Sequence, residues 1–321
     1  MRAGVLLECA GDPVEMIEAA GLNDLQIEVI TDFPERPREE QLQLIKGMDG
    51  IMTDLRVRVD DAFLDAAGPQ LKVVSNYAVG YDNIDVEAAN ARNVVVCNGP
   101  PPMTEPTADV AWMLLLAASR RAREGLDLAR SGTWKGYHPT LLLGNRLIGS
   151  TLLVVGAGRI GSAIARRSIG WNMEVLYVAN SDKPELEADP IGATRVDLES
   201  GLARADVVVL SVALTPETRG MIDEHAFARM KSSAVLVNVS RGPVVDEEAM
   251  VRALESGEIS AVGLDVYEQE PIIHSGLIDC DRAFIVPHIG SATVEDRTDL
   301  TRIAADNLTA ILNGRDPLFR V

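Results

Sequence analysis

Short apolar runs alternate with mixed, helix-period stretches along most of the chain. In the first third the runs are Val5 to Leu7, Ile27 to Ile30, Gly50 to Thr53, Leu71 to Ser75 and Val94 to Cys97, with helical segments such as Pro13 to Ala20 and Val86 to Ala91 between them. Continuous apolar runs suit strands buried on both faces, and the strand–helix–strand rhythm predicts a parallel sheet covered by helices. The rhythm breaks at Asn98-Gly99-Pro100-Pro101-Pro102, where consecutive prolines forbid both regular structures. An Ala- and Leu-rich stretch from Thr107 to Ser131 follows and predicts one long helix. A second series begins at Thr151, with strands expected at Leu152 to Val155, Glu174 to Val178, Val207 to Ser211, Ala234 to Val239, Ala261 to Leu264 and Phe284 to Val286. The last segment, Thr293 to Leu312, reads as an amphipathic helix that packs back on the first series, because chain ends often lie near each other.

The expected fold class is therefore α/β, with two doubly wound parallel-sheet domains and a cleft between them. A flavodoxin-like domain takes residues 1–99 and 286–321, and a Rossmann domain takes residues 100–285. The second is inserted between the two halves of the first.

The inserted series opens with a glycine fingerprint. Leu152-Leu153-Val154-Val155 runs directly into Gly156-Ala157-Gly158-Arg159-Ile160-Gly161, which is G-x-G-x-x-G after a strand and before a helix. Gly156 permits the tight turn, Gly158 lets the backbone approach a pyrophosphate, and Gly161 lets the helix pack close to its strand. Arg159 and Ile160 lie in the same turn and belong to the pyrophosphate contact. Glycines in such a turn can serve packing alone, but the flanking strand and helix favour a dinucleotide. Its kind should be written at the end of the next strand, Val178-Ala179-Asn180-Ser181-Asp182-Lys183. No acid stands at Ala179, where a carboxylate would hold the ribose 2′-hydroxyl of NAD. Asn180, Ser181 and Lys183 offer donors to a 2′-phosphate, whereas Asp182 would suit a ribose and no arginine occurs in the loop. NADP(H) is favoured and NAD(H) is possible.

Charge narrows the choice of partner. The 321 residues carry 30 Lys and Arg against 48 Asp and Glu, a net charge of −18, which opposes nucleic acid and anionic membrane surfaces. A small anionic substrate must then be met by a local cluster of arginines. Three cysteines, Cys9, Cys97 and Cys280, make neither a disulfide framework nor a zinc site, and no His/Cys/Asp cluster has metal-ligand spacing, so no metal is expected. Free thiols and the lack of a signal-like or membrane-spanning apolar run point to a cytoplasmic protein.

Hydride transfer to a carbonyl leaves an alkoxide that needs a proton, and histidine is the natural donor. Of four histidines, His138, His225 and His274 read as surface or packing residues; His288 lies in Pro287-His288-Ile289-Gly290-Ser291-Ala292-Thr293 after an apolar strand. Two other stretches accompany it: Asn238-Val239-Ser240-Arg241-Gly242, and Gly263-Leu264-Asp265-Val266-Tyr267-Glu268-Gln269-Glu270-Pro271. With Val79-Gly80-Tyr81-Asp82-Asn83-Ile84-Asp85 and Thr107-Ala108-Asp109, these motifs closely resemble, over essentially the whole chain, the D-isomer-specific 2-hydroxyacid dehydrogenases.

The resemblance implies roles for particular residues. His288 is the proton donor. Glu270, the glutamate just before proline, is its partner and would fix the imidazole tautomer, while Glu268 stays a solvated acid. Arg241 takes the substrate carboxylate and polarises the carbonyl, with the backbone amides of Val79 and Gly80 as a second clamp. Asp265 accepts a hydrogen bond from the nicotinamide carboxamide, or else caps a turn. Thr104, Val212, Pro216, Val239, Ser240 and Gly290 border the cofactor. Arg56 and Arg58 either add positive charge near the cleft or are merely solvated. The stretch Ser131-Gly132-Thr133-Trp134-Lys135-Gly136-Tyr137-His138-Pro139, then Leu143-Gly144, looks like the glyoxylate and hydroxypyruvate reductase branch, so the expected substrate is a short 2-oxo acid and the expected assembly a homodimer. A phosphoglycerate dehydrogenase would often carry a further regulatory domain, whereas this chain stops at Val321. A corepressor-like dinucleotide sensor is the non-enzymatic alternative.

Overall fold

The computed structural model describes residues 1–22 and 25–321. It divides into two compact units, Met1–Met103 with Ser291–Val321, and Thr104–Gly290.

In the first unit five strands, β1 (Arg2–Val5), β2 (Gln26–Val29), β3 (Gly50–Thr53), β4 (Val73–Asn76) and β5 (Val95–Cys97), form a parallel sheet in the order β2-β1-β3-β4-β5. This is the flavodoxin-like doubly wound order. β3 and β4 are buried along their whole length, including the polar Thr53, Ser75 and Asn76 at their carboxyl ends. Side chains alternate across the sheet: Ile51 and Val74 join Phe63 on one face, while Met52 and Val73 join Leu308 on the other. The helix Val294–Leu312 supplies that second face and is tied down by Ser75, whose hydroxyl donates to the Ala304 carbonyl at 2.8 Å. A Cβ on Gly50 would lie 2.8 Å from a Leu308 methyl, so glycine lets this helix lie flush on the sheet. β1 starts at Arg2, before the expected Val5, because the small Ala3 and Gly4 hide the strand's pattern; Met48 packs over Gly4.

The second unit holds seven strands, β6 (Thr151–Val155), β7 (Glu174–Val178), β8 (Thr194–Arg195), β9 (Val207–Leu210), β10 (Val235–Asn238), β11 (Ala261–Leu264) and β12 (Ala283–Ile285). All pairs are parallel, in the order β12-β11-β10-β9-β6-β7-β8. The strand order reverses between β6 and β9, which makes their carboxyl ends a topological switch point, where open α/β sheets bind ligands. β8 is too short to give a readable apolar run.

The long helix expected from Thr107 to Ser131 is two helices, Thr104–Ser119 and Ala122–Arg130. Arg121 between them is left-handed at φ 51°, and its guanidinium grips Glu124 at 2.6 and 2.5 Å. The break has a tertiary cause. The Ser119 carbonyl accepts the Asn145 amide at 2.8 Å, and a side chain on Gly144 would overlap that oxygen, so the returning chain crosses where the helix would have continued.

The division at 103/104 and 290/291 differs by a few residues from the 99/100 and 285/286 read from the sequence. Thr104 opens a helix that packs on β11, where a Cβ on Gly263 would lie 2.9 Å from the Leu114 Cβ. At the other end, the Ile289 and Gly290 amides are bonded to Asp265 of the second unit. Among the described residues, no helix is long and apolar enough to cross a membrane.

Candidate active site

The functional candidates of the second unit cluster on loops that leave the carboxyl ends of β6, β7, β9, β10, β11 and β12. At β6 the Gly156–Gly161 turn has the shape that its glycines suggested. Gly156 is left-handed at φ 96°, and a Cβ there would lie 2.7 Å from Val212, the residue just beyond the β9 loop start at Ser211. A Cβ on Gly161 would overlap the Gly156 carbonyl. A Cβ on Gly158, by contrast, would meet nothing within 4 Å. The helix Arg159–Arg167 has no side-chain cap at its N-terminus, so its first-turn amides face that open space. Such a cradle fits the pyrophosphate of a dinucleotide.

The β10 loop is held by a buried side chain. Asn238 accepts from the Ser240 amide at 2.9 Å and the Ser240 hydroxyl at 2.7 Å, and donates to the Arg241 carbonyl at 3.0 Å. Arg241 also donates to the Ser240 carbonyl at 2.9 Å. The Ser240 hydroxyl is therefore already engaged within the loop, and Val239 is buried against the sheet. Gly242 then crosses the β11 loop backbone to backbone; a side chain there would overlap the Tyr267 carbonyl group and the Glu268 nitrogen.

That β11 loop carries Glu270. One carboxylate oxygen accepts the Tyr267 amide at 3.0 Å, and the other lies 2.7 Å from His288 Nδ1. The loop is braced from below by Glu247, which accepts the Glu268 amide at 2.7 Å, and by the Tyr267 hydroxyl, which donates to the Val286 carbonyl at 2.7 Å. Burial alone would raise the Glu270 carboxyl; the bond and charge of His288, the Tyr267 amide and the charge of Arg241 outweigh it and hold the group below its ordinary range. Burial pushes Glu247 the other way.

His288 adopts a left-handed conformation at φ 52°. Asp265 sets it there: its carbonyl accepts the His288 amide at 2.9 Å, and its two carboxylate oxygens accept the amides of Ile289 at 2.6 Å and Gly290 at 2.8 Å. Asp265 thus caps the histidine turn, and its buried carboxyl is raised by desolvation. Both ring and carboxylate of the His288–Glu270 pair keep access to solvent, with side-chain exposures of 30% and 29%.

At the end of β7, Asn180, Ser181 and Asp182 are exposed. An arginine that the sequence did not connect with this loop reaches it from β8. Arg195 donates to the Ala179 carbonyl through Nε at 3.2 Å and a terminal nitrogen at 2.9 Å, and its other terminal nitrogen lies 2.6 Å from Asp182. The absence of an arginine holds for the loop as sequence, and the fold brings one in.

Other candidates are placed less tellingly. Thr104 begins its helix, and Pro216 lies in a turn closed by the Thr218 hydroxyl on the Thr215 amide. His274 caps a short helix and meets Glu248, and His138 bonds Thr140. Arg56 is paired with Asp54 and Glu35, and Arg58 with Asp60, so their charge is largely taken up locally. Val79 and Gly80 belong to the first unit, in the turn after β4. Among the described residues no cluster suited to a metal occurs. Glu247 and Arg195 lie outside the motifs read from the sequence, and Asn238 and Tyr267, though inside them, carried no predicted role; an arginine in a two-residue strand leaves no periodic signal.

A doubly wound sheet with an open glycine turn at its switch point and an acid–histidine pair on loops at the same carboxyl edge defines a dinucleotide-dependent oxidoreductase. Residues 112–290 match the D-isomer specific 2-hydroxyacid dehydrogenase, NAD binding domain. The chain is 46% identical over 296 residues to a glyoxylate reductase of Thermococcus onnurineus, covering 91% of this chain and 88% of that protein. A glyoxylate reductase structure from Paecilomyes thermophila superposes with a TM-score of 0.90 at 34% identity, covering 100% of this chain and 98% of the other. The NADPH-dependent glyoxylate/hydroxypyruvate reductase of Sinorhizobium meliloti, in complex with NADP and malonate, does so at 0.85 and 30% identity, covering 100% and 96%. The chain belongs to the D-isomer-specific 2-hydroxyacid dehydrogenase family, oxidoreductases that act on CH–OH groups with a nicotinamide dinucleotide.

Proposed function

We propose that the enzyme reduces glyoxylate or hydroxypyruvate to the D-2-hydroxy acid and prefers NADPH to NADH. The observation that carries the reading is the His288–Glu270 pair at 2.7 Å, whose glutamate lies on a loop that Gly242 locks backbone to backbone to the loop of Arg241. When bound, the reduced nicotinamide supplies a hydride. Gly156, Gly158, Arg159, Ile160 and Gly161 would hold the pyrophosphate, with Val212 packed against the turn. Thr104, Pro216, Val239 and Ser240 would border the cofactor, and an unused lone pair of Asp265 would take the carboxamide. Arg241 binds the substrate carboxylate through its planar fork, and the Val79 and Gly80 amides add to that grip. Glu270 takes the Nδ1 side of His288, which leaves Nε2 to give the proton to the new hydroxyl. The names of the Thermococcus and Sinorhizobium relatives support the substrate class.

The test is spectrophotometric. NADPH oxidation should be rapid with glyoxylate and hydroxypyruvate and slower with pyruvate, and kcat/KM for NADPH should exceed that for NADH. Absence of turnover with all three acids would end the enzymatic reading in favour of a dinucleotide sensor.

The preference for the 2′-phosphate is supported by Ala179, which offers no carboxylate, and by Arg195, which occupies the charge of Asp182 and supplies the missing guanidinium. Asn180 and Ser181 add neutral donors. Arg195→Ala should weaken 2′,5′-ADP and NADPH about tenfold or more and leave 5′-AMP and NADH within about twofold, since charge-assisted bonds to phosphate are the strong ones. Calorimetry reads this directly. Equal loss for both pairs of ligands would mean that Arg195 only braces the loop, whereas a wild-type protein that holds NADH more tightly than NADPH would defeat the cofactor preference itself.

A further inference from the structure

The turn after β4 treats its two sets of backbone groups differently. The carbonyls of Ala78, Val79 and Gly80 are tied back. Ala78 accepts the Gly99 amide at 3.0 Å, Val79 accepts Asn98 Nδ2 at 2.7 Å, and Gly80 accepts Asn76 Nδ2 at 2.9 Å. The amides of Ala78, Val79 and Gly80 have no protein partner among the described residues, although Ala78 is buried and the other two are half-buried. Buried backbone amides are nearly always paired, so three in succession whose carbonyls are pinned form a concavity that calls for an anion.

The two asparagines cannot easily turn away. Asn76 Nδ2 also faces Asn83 Oδ1 at 3.3 Å, so a flipped amide would set oxygen against two oxygens; the buried Oδ1 of Asn76 goes without a partner in consequence. Asn83 is itself anchored on the carbonyls of Asp54 at 3.1 Å and Val57 at 2.9 Å. Asn98 is held by its main chain: its amide donates to Phe319 at 3.3 Å and its carbonyl accepts from the buried Asn307 at 3.1 Å, whose Oδ1 in turn accepts the Phe319 amide at 3.1 Å. An asparagine lattice drawn from β4, the β5 end and the C-terminal helix thus fixes which side of the turn is presented.

We propose that Asn76 and Asn98 are positioning residues that hold the Ala78–Gly80 amides out toward the carboxylate of the 2-oxo acid. This rests on the substrate reading above. The donors are neutral and preset, so their contribution is to substrate affinity rather than to proton or hydride transfer.

Asn98→Asp replaces the donor by an oxygen of the same size facing the Val79 carbonyl. The KM for glyoxylate and the Kd for oxalate, an unreactive carboxylate probe, should rise about tenfold or more, with kcat within about threefold and the NADPH Kd within about twofold. Gln70→Ala is the control: it removes two comparable bonds, to Met48 and Ala67, at the opposite end of β4, and should leave all these constants unchanged. Asn98→Ser takes the place of Asn98→Asp if the latter does not fold. Unaltered glyoxylate and oxalate constants in a folded variant would overturn the proposal, as would a parallel rise in the NADPH Kd. A wild-type protein that binds neither acid would instead defeat the substrate reading on which it stands.

Discussion

His288→Gln should lower kcat by about two to four orders of magnitude if, as proposed, His288 is the group that protonates the nascent alkoxide. Binding should survive, since glutamine keeps much of the shape and the turn is set by backbone bonds from Asp265 rather than by the ring. NADPH and oxalate dissociation constants within about twofold of wild type, beside the fall in kcat, would mark loss of a group used only in the transition state. Near-normal turnover in this variant would remove His288 from the chemistry.

The same substitution has an independent readout in acid. In the wild-type fold Glu270 sits below the ordinary carboxylate range, because the bond and charge of His288, with the Tyr267 amide and Arg241, outweigh burial. A carboxyl lowered in this way stabilises the fold at pH above its unfolded value, and that contribution is lost as pH falls through the folded value. Without His288, burial meets less opposition and the folded value climbs. The variant should therefore begin to lose stability at higher pH than wild type on acidification, as urea midpoints over a pH series would read. An unchanged acid limb would show that Glu270 takes nothing from the histidine.

How much of this was legible follows a physical rule. Arg241, Asp265 and His288 each stand just beyond an apolar run, and strand ends can be read from such runs because a parallel strand buried on both faces is mostly apolar. The phosphate turn was legible for the same reason, with glycine spacing added. Arg195 was not: its strand is two residues long, too short for any pattern, and its relation to Ala179 is one of neighbouring strands rather than of sequence. Glu247 and Tyr267 act on backbone groups of other loops, and Asn238 on backbone groups of its own, contacts for which neither residue type nor apolar period gives a sign. The helix break at Arg121 was hidden because Ala and Leu favour helix on both sides, and only the chain returning through Gly144 ends it.

Glycine gives the sharpest case of two residues that read alike and should behave in opposite ways. Gly158 and Gly242 both sit in motif loops at strand ends, with no left-handed backbone to explain either. A methyl group on Gly158 meets nothing within 4 Å, so Gly158→Ala should fold with a stability within about 0.5 kcal/mol of wild type. Its cost should fall on the ligand: the open space it fills is where the proposed pyrophosphate site brings the ligand against the main chain, and the NADPH Kd should rise about tenfold or more. On Gly242 the same methyl overlaps the Tyr267–Glu268 peptide, which is backbone and cannot swing aside as a side chain would. That peptide must move, and with it the amide that holds Glu270 and the hydroxyl that Tyr267 places on Val286. Gly242→Ala should thus lose about 3 kcal/mol or more of stability, as overpacking against an immovable neighbour does. Whatever folds should show kcat reduced about a hundredfold, the effect expected on the proposed mechanism from displacing the partner of His288 by about 1 Å. Thermal unfolding with and without NADPH separates the two, because only Gly242→Ala should lower the Tm of the apo protein. A Gly242→Ala protein with wild-type stability and turnover would mean that the loops of Arg241 and Glu270 are not locked together, and the rigid pairing on which the proposed chemistry depends would have to be abandoned.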